Sequence, residues 1–380
     1  MKLCRIATVP FVFVYHLRSQ ILATVEEGHE VYLVSSAGPA LETMAQEKGV
    51  RVHPLSIHRS ISLWNDLKSL WKLCHYFRKM KFDVVHSITQ KAGLLTAVAG
   101  FLTRVPIRFH TFTGQPWMYK RGLLRWVSKR CDWFIVKLNT RCYTDSVSQR
   151  DYLVRQAIAS KKDIKVLGPG SLAGVDLDRF DCAKWQSSCE EIRRELHIPN
   201  HASIINFTGR LNLEKGIQEL IEAFENLTRE QEDFFLLLIG PFEINREPIP
   251  FELMERIQKN PRIRILGDSP QPEKFFAISD VLCLPSYREG FGIVVLEAAA
   301  MGLPAIGTRV VGLVDSIVDG KTGILVPPKD SEALYRALQS MFNDNELRKK
   351  MGQNAKHRAK SFSSSYINGM VLKEYGRYSS

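Results

Sequence analysis

The segment REGFGIVVLE, residues 288–297, says more about the fold than any other part of the 380-residue chain. It follows an apolar run, Val281–Leu284, that ends at a proline and has the pattern of a short buried strand. It leads into an alanine-rich run, residues 296–301, that has the pattern of a helix and is stopped by a glycine and a proline. The segment therefore predicts a strand–loop–helix unit of the kind that builds parallel sheets.

Two glutamates occupy opposite ends of this segment. Glu289 falls in the predicted loop, and Glu297 falls about two turns into the predicted helix. Gly290 and Gly292 let the loop backbone approach a ligand closely, and the helix start offers unpaired N–H groups to an anion. One acid at each end suits a sugar nucleotide, which has hydroxyls at both ends and a diphosphate between them. An ordinary exposed loop with two acidic residues is the alternative.

The two glutamates, with both glycines and the phenylalanine between them, resemble the Glu-x7-Glu motif of retaining glycosyltransferases of family 4, which have the GT-B fold. The resemblance implies that Glu289 lies near the donor sugar as a catalytic residue and that Glu297 binds the ribose hydroxyls. It implies further contacts to the donor sugar from Gly290 and Phe291, and to the donor diphosphate from Gly292, Ile293 and Val294.

A second motif, TGRLNLEKG at residues 208–216, follows a predicted strand and opens a predicted helix. Arg210 and Lys215 are two cations that can neutralise a diphosphate without a metal ion. The segment resembles the family's Gly-Arg-Leu…Lys-Gly element, and this likeness implies that both side chains bind the donor diphosphate.

Strand and helix patterns alternate along the rest of the chain, which predicts parallel sheets built from βαβ units. The turn-rich segment GPGSLAGVD, residues 168–176, separates two such sets and resembles the hinge of family-4 enzymes. The predicted fold class is α/β with GT-B architecture, in which two Rossmann-like domains have parallel sheets facing a cleft. The predicted domains are residues 1–175, acceptor-side, with a crossover helix at about 362–380, and residues 176–361, which bind the nucleotide sugar. Residues 133–138 are among the strands predicted for the first domain.

The excess of positive charge lies in the first half of the chain. Residues 1–180 carry a net charge of +14 and residues 181–380 a net charge of −2. Basic residues alternate with aromatic and aliphatic ones between Arg104 and Arg141, where Asp132 is the one acid. Such a surface suits an anionic bilayer or a diphosphate-linked lipid, with nucleic acid as the competing partner and a solvated basic face as the plain alternative. The expected location is the cytoplasm, at the inner face of the cell membrane.

The first domain departs from the family pattern at two places. The loop after its first strand is apolar and aromatic instead of glycine-rich, so Phe11 and Phe13 are candidates for an acceptor site or for the core. The family's Thr-x-His-Gly element is replaced by HTFTGQPW, residues 110–117, in which a threonine occupies the usual histidine position. The candidate residues in this stretch are Thr113 and His110 as catalytic groups and Gly114 and Gln115 on the acceptor side.

Composition excludes several other classes of protein. Seven cysteines without a Cys-x-x-Cys pair predict reduced thiols and neither a disulfide framework nor a zinc cluster. No apolar stretch reaches the roughly 18 residues of a spanning helix, and the apolar start of the chain is interpreted as a first strand, not a secretory signal. Asp176 and Asp178 spell an Asp-x-Asp metal motif but belong to the hinge, so no metal and no cofactor beyond the nucleotide sugar are expected.

The sequence thus predicts a retaining, metal-independent glycosyltransferase that moves a hexose or N-acetylhexosamine from a UDP-sugar to a lipid-linked saccharide in surface polysaccharide synthesis. A sugar-nucleotide epimerase of the same fold is one alternative, although no histidine–carboxylate pair suited to it is evident. A non-catalytic protein that binds membranes or nucleic acid on the same scaffold is the other.

Overall fold

The computed structural model describes residues 1–58, 62–118, 120–230, 233–243 and 247–378. The chain forms two compact units. Unit 1 comprises Met1–Gly174 together with Ser364–Ser380, and unit 2 comprises Val175–Ser363. Tyr119, in the basic and aromatic stretch, lies outside the described residues.

Unit 1 is built on a seven-stranded sheet with the order β3-β2-β1-β4-β5-β6-β7. Every strand pair in its described residues is parallel. The strands are β1 Lys2–Ile6, β2 Glu30–Ser35, β3 Val50–Pro54, β4 Val84–Ile88, β5 Ile107–Phe112, β6 Arg141–Thr144 and β7 Ile164–Val166. The helices are α1 Phe11–Tyr15, α2 Arg18–Glu26, α3 Pro39–Ala45, α4 Leu63–Met80, α5 Gln90–Leu102, α6 Gly122–Leu138 and α7 Val147–Arg155.

Residues 133–138, predicted to form a strand, are the last two turns of α6. Their apolar run imitates a strand over six residues, but it continues an amphipathic helix that begins at Gly122. The apolar loop predicted after β1 is also helical, because residues 11–15 form the short helix α1.

Unit 2 is built on a six-stranded parallel sheet with the order β10-β9-β8-β11-β12-β13. The strands are β8 Ser203–Thr208, β9 Phe234–Ile239, β10 Ile263–Gly267, β11 Val281–Leu284, β12 Ala305–Thr308 and β13 Gly323–Val326. The helices are α8 Cys189–Glu195, α9 Ile217–Glu230, α10 Phe251–Lys259, α11 Glu273–Ala277, α12 Ile293–Ala300, α13 Leu313–Ser316, α14 Ser331–Asn343 and α15 Asn345–Ala359. The two parallel sheets confirm the predicted α/β class.

The strand–loop–helix unit that the sequence predicted is β11 and α12. All four residues of β11 are buried because the strand pairs with β8 on one side and β12 on the other. One face of α12 packs in the core of unit 2 and against α15. The loop between them, residues 285–292, therefore leaves the carboxyl edge of the sheet, where ligands bind in open α/β folds.

The final helix, α16 Ser364–Gly376, belongs to unit 1 and packs on α2. Tyr375 lies in the core beneath the sheet, with its ring stacked on Phe109. Its hydroxyl accepts a hydrogen bond from Arg5 Nη1 at 2.9 Å and lies 2.7 Å from His86 Nδ1. Tyr375, which is far from Arg5 and His86 in sequence, thus completes a buried polar cluster of unit 1.

Candidate active site

Glu289 is held at the carboxyl edge of the unit 2 sheet by two neighbours. Its Oε1 forms an ion pair with Lys215 Nζ and accepts a hydrogen bond of 2.8 Å from Ser286 Oγ. The Lys215 and Glu289 side chains are only 15% and 13% exposed. A charge-assisted pair with so little water around it fixes both side chains more firmly than a surface ion pair would.

The loop that carries Lys215 is fastened to the loop that carries Glu289. The backbone N–H of Tyr287 donates to the carbonyl of Glu214 at 2.9 Å, and Arg288 forms an ion pair with the Glu214 carboxylate at the same distance. Gly216 has a φ of 71°, and a Cβ there would lie 2.1 Å from the carbonyl oxygen of Pro285. Only glycine permits this approach, which brings the ammonium of Lys215 to Glu289.

The start of α12 offers its backbone to an anion. Gly292, at the helix cap, has a φ of 83° and no side-chain capping bond. The backbone groups of Ile293 and Val294 follow it in the first turn. Uncapped N–H groups at a helix start favour negative charge, so this turn suits a phosphate.

Glu297 lies in the second turn of α12 and is partly buried. Burial is the main cause that raises the pKa of its carboxyl to about 7, with Arg179 lowering it and Glu273 raising it. Arg179 and Glu273 form an ion pair of 2.9 Å beside it. No hydrogen bond to the Glu297 carboxylate is found among the described residues, so its oxygens are available to hydroxyl groups.

Arg210 binds a different carboxylate from the one that Lys215 binds. Arg210 pairs with Glu243 instead, and its guanidinium remains partly exposed. It follows β8, at the same sheet edge as Glu289. Its predicted role in binding a diphosphate stays a prediction.

Two predicted contact residues are core residues. Phe291 is 2% exposed and its ring packs against Phe362, so its side chain cannot touch a donor sugar. Gly290 is also buried, with its carbonyl beside Gly312, so its predicted contact to the donor sugar stays a prediction. Phe13 is 0% exposed in the core of unit 1, which excludes an acceptor contact from its ring. Phe11, in contrast, is 38% exposed and contacts the rings of Tyr15 and His16.

His110 is also unsuited to the predicted catalytic role. It lies within β5, is fully buried, and its Nδ1 is 2.9 Å from Ser87 Oγ. Burial lowers the pKa of its imidazole to about 3, so the ring stays neutral at physiological pH. The ring has no exposed surface and packs closely on Gly93, where a Cβ would lie 2.4 Å from it, so His110 is not accessible to a substrate in this structure.

The loop after β5 holds the remaining acceptor-side candidates. Thr113 and Gly114 are partly exposed at the carboxyl edge of the unit 1 sheet. Gln115 is fully buried, and neither atom of its amide has a hydrogen-bond partner among the residues that the structure describes. An unsatisfied buried amide is unusual in a native protein, and it places an unused donor and acceptor next to Thr113.

The sequence interpretation missed Ser286, Arg179 and Glu273. Ser286 could have been noticed as a hydroxyl three residues before Glu289, at the end of a predicted strand. The Arg179–Glu273 pair joins residues far apart in sequence, and no local pattern announces it.

The Asp-x-Asp of the hinge is engaged locally. Asp176 Oδ1 accepts from the backbone N–H groups of Asp178 and Arg179 at 3.1 and 3.0 Å, which forms a turn. Within the described residues, no group of three or more histidine, cysteine or acidic side chains could hold a metal ion. The same residues include no helix with both the length and the apolar character needed to span a bilayer.

Two family models match the chain. One, described as glycosyl transferases group 1, matches residues 188–358, and the other, a glycosyl transferase 4-like domain, matches residues 14–170. CapM of Staphylococcus aureus, a capsular polysaccharide biosynthesis glycosyltransferase, is 32% identical over 92% of this chain and 90% of its own length. A D-inositol 3-phosphate glycosyltransferase of Corynebacterium glutamicum is 30% identical over 75% of this chain and 70% of its own.

Solved structures show the same fold. The crystal structure of HepE of Anabaena in complex with UDP-glucose has a TM-score of 0.82 and 18% identity, over 99% of this chain and 100% of that one. At this identity the likeness concerns the fold alone, and it is the GT-B fold that the sequence predicted. With its two family models and its relative in Staphylococcus aureus, the chain belongs to the GT-B glycosyltransferases of the family-4 type.

Proposed function

We propose that the protein transfers a hexose or an N-acetylhexosamine from a UDP-sugar to a lipid-linked saccharide, with retention of anomeric configuration and without a metal ion. The observation that carries this proposal is the Lys215–Glu289 pair beside the uncapped start of α12. It supplies a cation, a carboxylate and backbone donors within one pair of fastened loops. A nucleoside diphosphate with an attached sugar needs all three.

In this proposal the ammonium of Lys215 and the first-turn N–H groups of α12 stabilise the diphosphate as it leaves the sugar. Negative charge grows on the bridging oxygen in the transition state, so donors already in place act most strongly there. Arg210 adds a second positive charge when the donor draws it from Glu243. These groups take over the role that a divalent metal has in other transferases.

Glu289 has a positioning role toward the sugar. Because Ser286 and Lys215 both contact its Oε1, the other carboxylate oxygen is left to accept a bond from a sugar hydroxyl. Glu297 accepts the two ribose hydroxyls in its ionised form. Thr113 and Gly114, on unit 1, are proposed to contact the acceptor.

The identity of donor and product is supported by the relatives. HepE is described with UDP-glucose and CapM as a capsular polysaccharide glycosyltransferase. We infer a UDP-linked donor and a surface polysaccharide product by analogy with them. We also propose that the basic unit 1 associates with the inner face of the cell membrane.

A panel of sugar nucleotides tests the donor part of the proposal. Binding of a UDP-sugar should raise the unfolding midpoint by mass action, and Lys215→Met should abolish that rise. Transfer in the presence of a chelator, with the anomeric proton coupling of the product read by NMR, tests metal independence and retention. An epimerised sugar nucleotide formed without acceptor, or an inverted product, would contradict the proposal.

A further inference from the structure

The outward sides of α4 and α6 in unit 1 expose large apolar side chains that no part of the described protein covers. On α4 these include Trp64, Leu67 and Trp71, which are 80%, 60% and 68% exposed. On α6 they include Leu123 and Trp126, which are 73% and 56% exposed. Single exposed apolar residues are ordinary, but five on two helices of one layer mark an interaction surface. We name these five residues, with the basic residues among them, the α4/α6 face.

The two helices lie in one layer. The connections β3–β4, β4–β5 and β5–β6 all step in the same direction across the sheet, so right-handed crossovers place α4, α5 and α6 on one face of it. α5 packs between the other two. An ion pair of 2.6 Å joins Lys91 on α5 to Asp66 on α4, and a hydrogen bond of 2.6 Å runs from Gln90 to Asp132 on α6.

These two contacts also remove the acids from the outward surface. Asp66 and Asp132 are the only acidic residues in the three helices. Asp66 pairs with Lys91 on α5, and Asp132 accepts from Gln90 on α5 and from the buried Trp117. The cations, in contrast, are directed outward beside the apolar residues. They include Lys68 and Lys72 on α4 and Arg130 and Lys137 on α6.

The order of side chains around α4 is that of an interfacial helix. At about 100° per residue, Leu67, Trp71 and Trp64 fall on one arc of the exposed surface, and Lys68, Lys79 and Lys72 fall on the adjoining arc. Tryptophan suits the boundary between hydrocarbon and water, and lysine reaches to the headgroups. On α6, Arg130 lies over the ring of Trp126, which combines both features in one contact.

We propose that the α4/α6 face docks unit 1 on an anionic bilayer. A second copy of the chain would bring two like-charged faces together, which is unfavourable. Nucleic acid would match the cations but would leave the leucines without a partner. An anionic lipid surface accommodates both kinds of side chain at once.

The position of this face extends the proposed function. The inference takes from that function the identity of the acceptor as a lipid-linked saccharide. Each helix runs antiparallel to its strand, so the first turns of α4 and α6, with Trp64 and Leu123, lie at the carboxyl edge of the unit 1 sheet. Thr113 lies at that same edge, directly after β5. An acceptor whose lipid stays in the bilayer would therefore present its saccharide next to Thr113.

The test is flotation of the full chain with vesicles of phosphatidylcholine, with or without phosphatidylglycerol. The parent should bind the anionic vesicles and lose binding as salt is raised. Trp64→Ser combined with Trp71→Ser should weaken the partition coefficient by at least about tenfold. Lys68→Gln combined with Lys72→Gln should weaken it by about fivefold per lysine.

Matched controls come from unit 2. Phe251→Ser removes an aromatic residue that is 79% exposed, and Arg194→Gln removes a cation whose side chain is 79% exposed. Both should bind vesicles like the parent. Equal partitioning of the tryptophan and Phe251 variants would overturn the proposal, as would a parent dimer that dissociates in the tryptophan variant. A parent protein that binds nucleic acid but not the anionic vesicles would also overturn it.

Hydrolysis of a UDP-sugar in the absence of membranes separates this inference from the proposed function. The tryptophan and lysine variants should hydrolyse it like the parent, because neither change touches unit 2. If the parent turns over no sugar nucleotide but binds vesicles through the α4/α6 face, the proposed function fails and the docking face stands. If hydrolysis proceeds and the variants bind vesicles as the parent does, the docking face fails alone.

Discussion

At the scale of single residues, the donor site is an arrangement of charges that balance one another before any ligand binds. Lys215 neutralises Glu289, Arg210 neutralises Glu243, and Arg179 neutralises Glu273. A diphosphate that enters would compete with carboxylates for cations already in place. Binding therefore exchanges ion pairs, and each cation that turns to the diphosphate gives up part of its contact with its carboxylate.

Lys215→Met should lower kcat/KM by roughly 10- to 100-fold, since it removes a charge-assisted contact to the leaving group and leaves Glu289 without its cation. Steady-state kinetics with a UDP-sugar measures the loss. Lys259→Met, at an exposed position of α10, is the control and should have no effect. A Lys215 variant as active as this control would remove Lys215 from the donor site.

Glu297 gives the donor site a pH dependence. Its pKa is raised to about 7 in the folded protein, so the folded state holds a proton that the unfolded state has lost, and stability falls as pH rises from about 4.5 to 7. Glu297→Gln removes that penalty and should stabilise the free protein at pH 8, by on the order of 2 kcal/mol, while leaving it unchanged at pH 4. Thermal unfolding at the two pH values measures the difference.

Donor binding should change in the opposite direction. Because ribose hydroxyls bind the ionised carboxylate, affinity of the parent for a UDP-sugar should increase from pH 6 to pH 8. The Glu297→Gln protein should bind more weakly and without this pH dependence. Calorimetric titration distinguishes the two, and an unchanged pH profile in the variant would exclude Glu297 as the group responsible.

The candidate residues that the structure brings together differ from those that it buries in the direction of their side chains. Lys215 and Glu289 lie in loops at strand ends, where motif and position coincide, and the structure brings them together. Phe13, Phe291 and His110 also belong to motif-like stretches, but their side chains point into the core. A short motif does not show which way a side chain points, because that depends on packing against residues distant in sequence.

At the scale of elements, the β11–α12 connection depends on the closeness of two backbones. Gly312 has a φ of 90°, and a Cβ there would lie 2.7 Å from the carbonyl oxygen of Gly290 and 2.9 Å from that of Glu289. The turn before α13 thus buttresses the loop that carries Glu289. Because Gly312 has no side chain, the loop that carries Glu289 can lie directly against this turn, and that contact fixes its position at the sheet edge.

Gly312→Ala should cost about 2 kcal/mol or more in stability, because it adds a backbone clash to the strain of a left-handed alanine. It should also reduce UDP-sugar affinity, since the loop must move. Gly320→Ala is the matched control, because Gly320 has a φ of 71° but nothing within 4 Å of an added Cβ. Chemical denaturation should show only about 1 kcal/mol of loss for the control.

Element boundaries were predicted well where the pattern was long or sharply punctuated. α4 and α10 begin and end where their periodicity and flanking residues indicate. The failure at residues 133–138 has a simple cause: six apolar residues at the end of a helix fit both periods. The packing of α6 against α5 on the sheet determines that these residues are helical and not a strand.

At the scale of the whole molecule, each unit has its own sheet and core, but unit 1 is assembled from both ends of the chain. Tyr375 joins Arg5 and His86 in a buried cluster, and Gln20 also accepts from Arg5. Alternating strand and helix patterns predicted two parallel sheets. They could not predict this cluster, since its members are separated by most of the sequence.

Tyr375→Phe should destabilise unit 1 by about 1–3 kcal/mol, because it leaves buried groups of Arg5 and His86 without their partner. Hydrogen exchange followed by mass spectrometry should show faster exchange in β1 and β4 and unchanged exchange in β8 and β11. Tyr15→Phe, at an exposed position of unit 1, should leave both units unchanged. Equal acceleration in the two units would show that they unfold as one.

The placement of α16 has a consequence for how the protein is made. The ribosome completes residues 1–174 first, yet their core stays open until Tyr375 has been synthesised, after all of unit 2. At translation rates of about 5–20 residues per second, that interval is roughly 10–40 s. During it the nascent chain exposes the underside of its first sheet, so chaperone capture is expected to concentrate on unit 1 and to end when the last helix emerges.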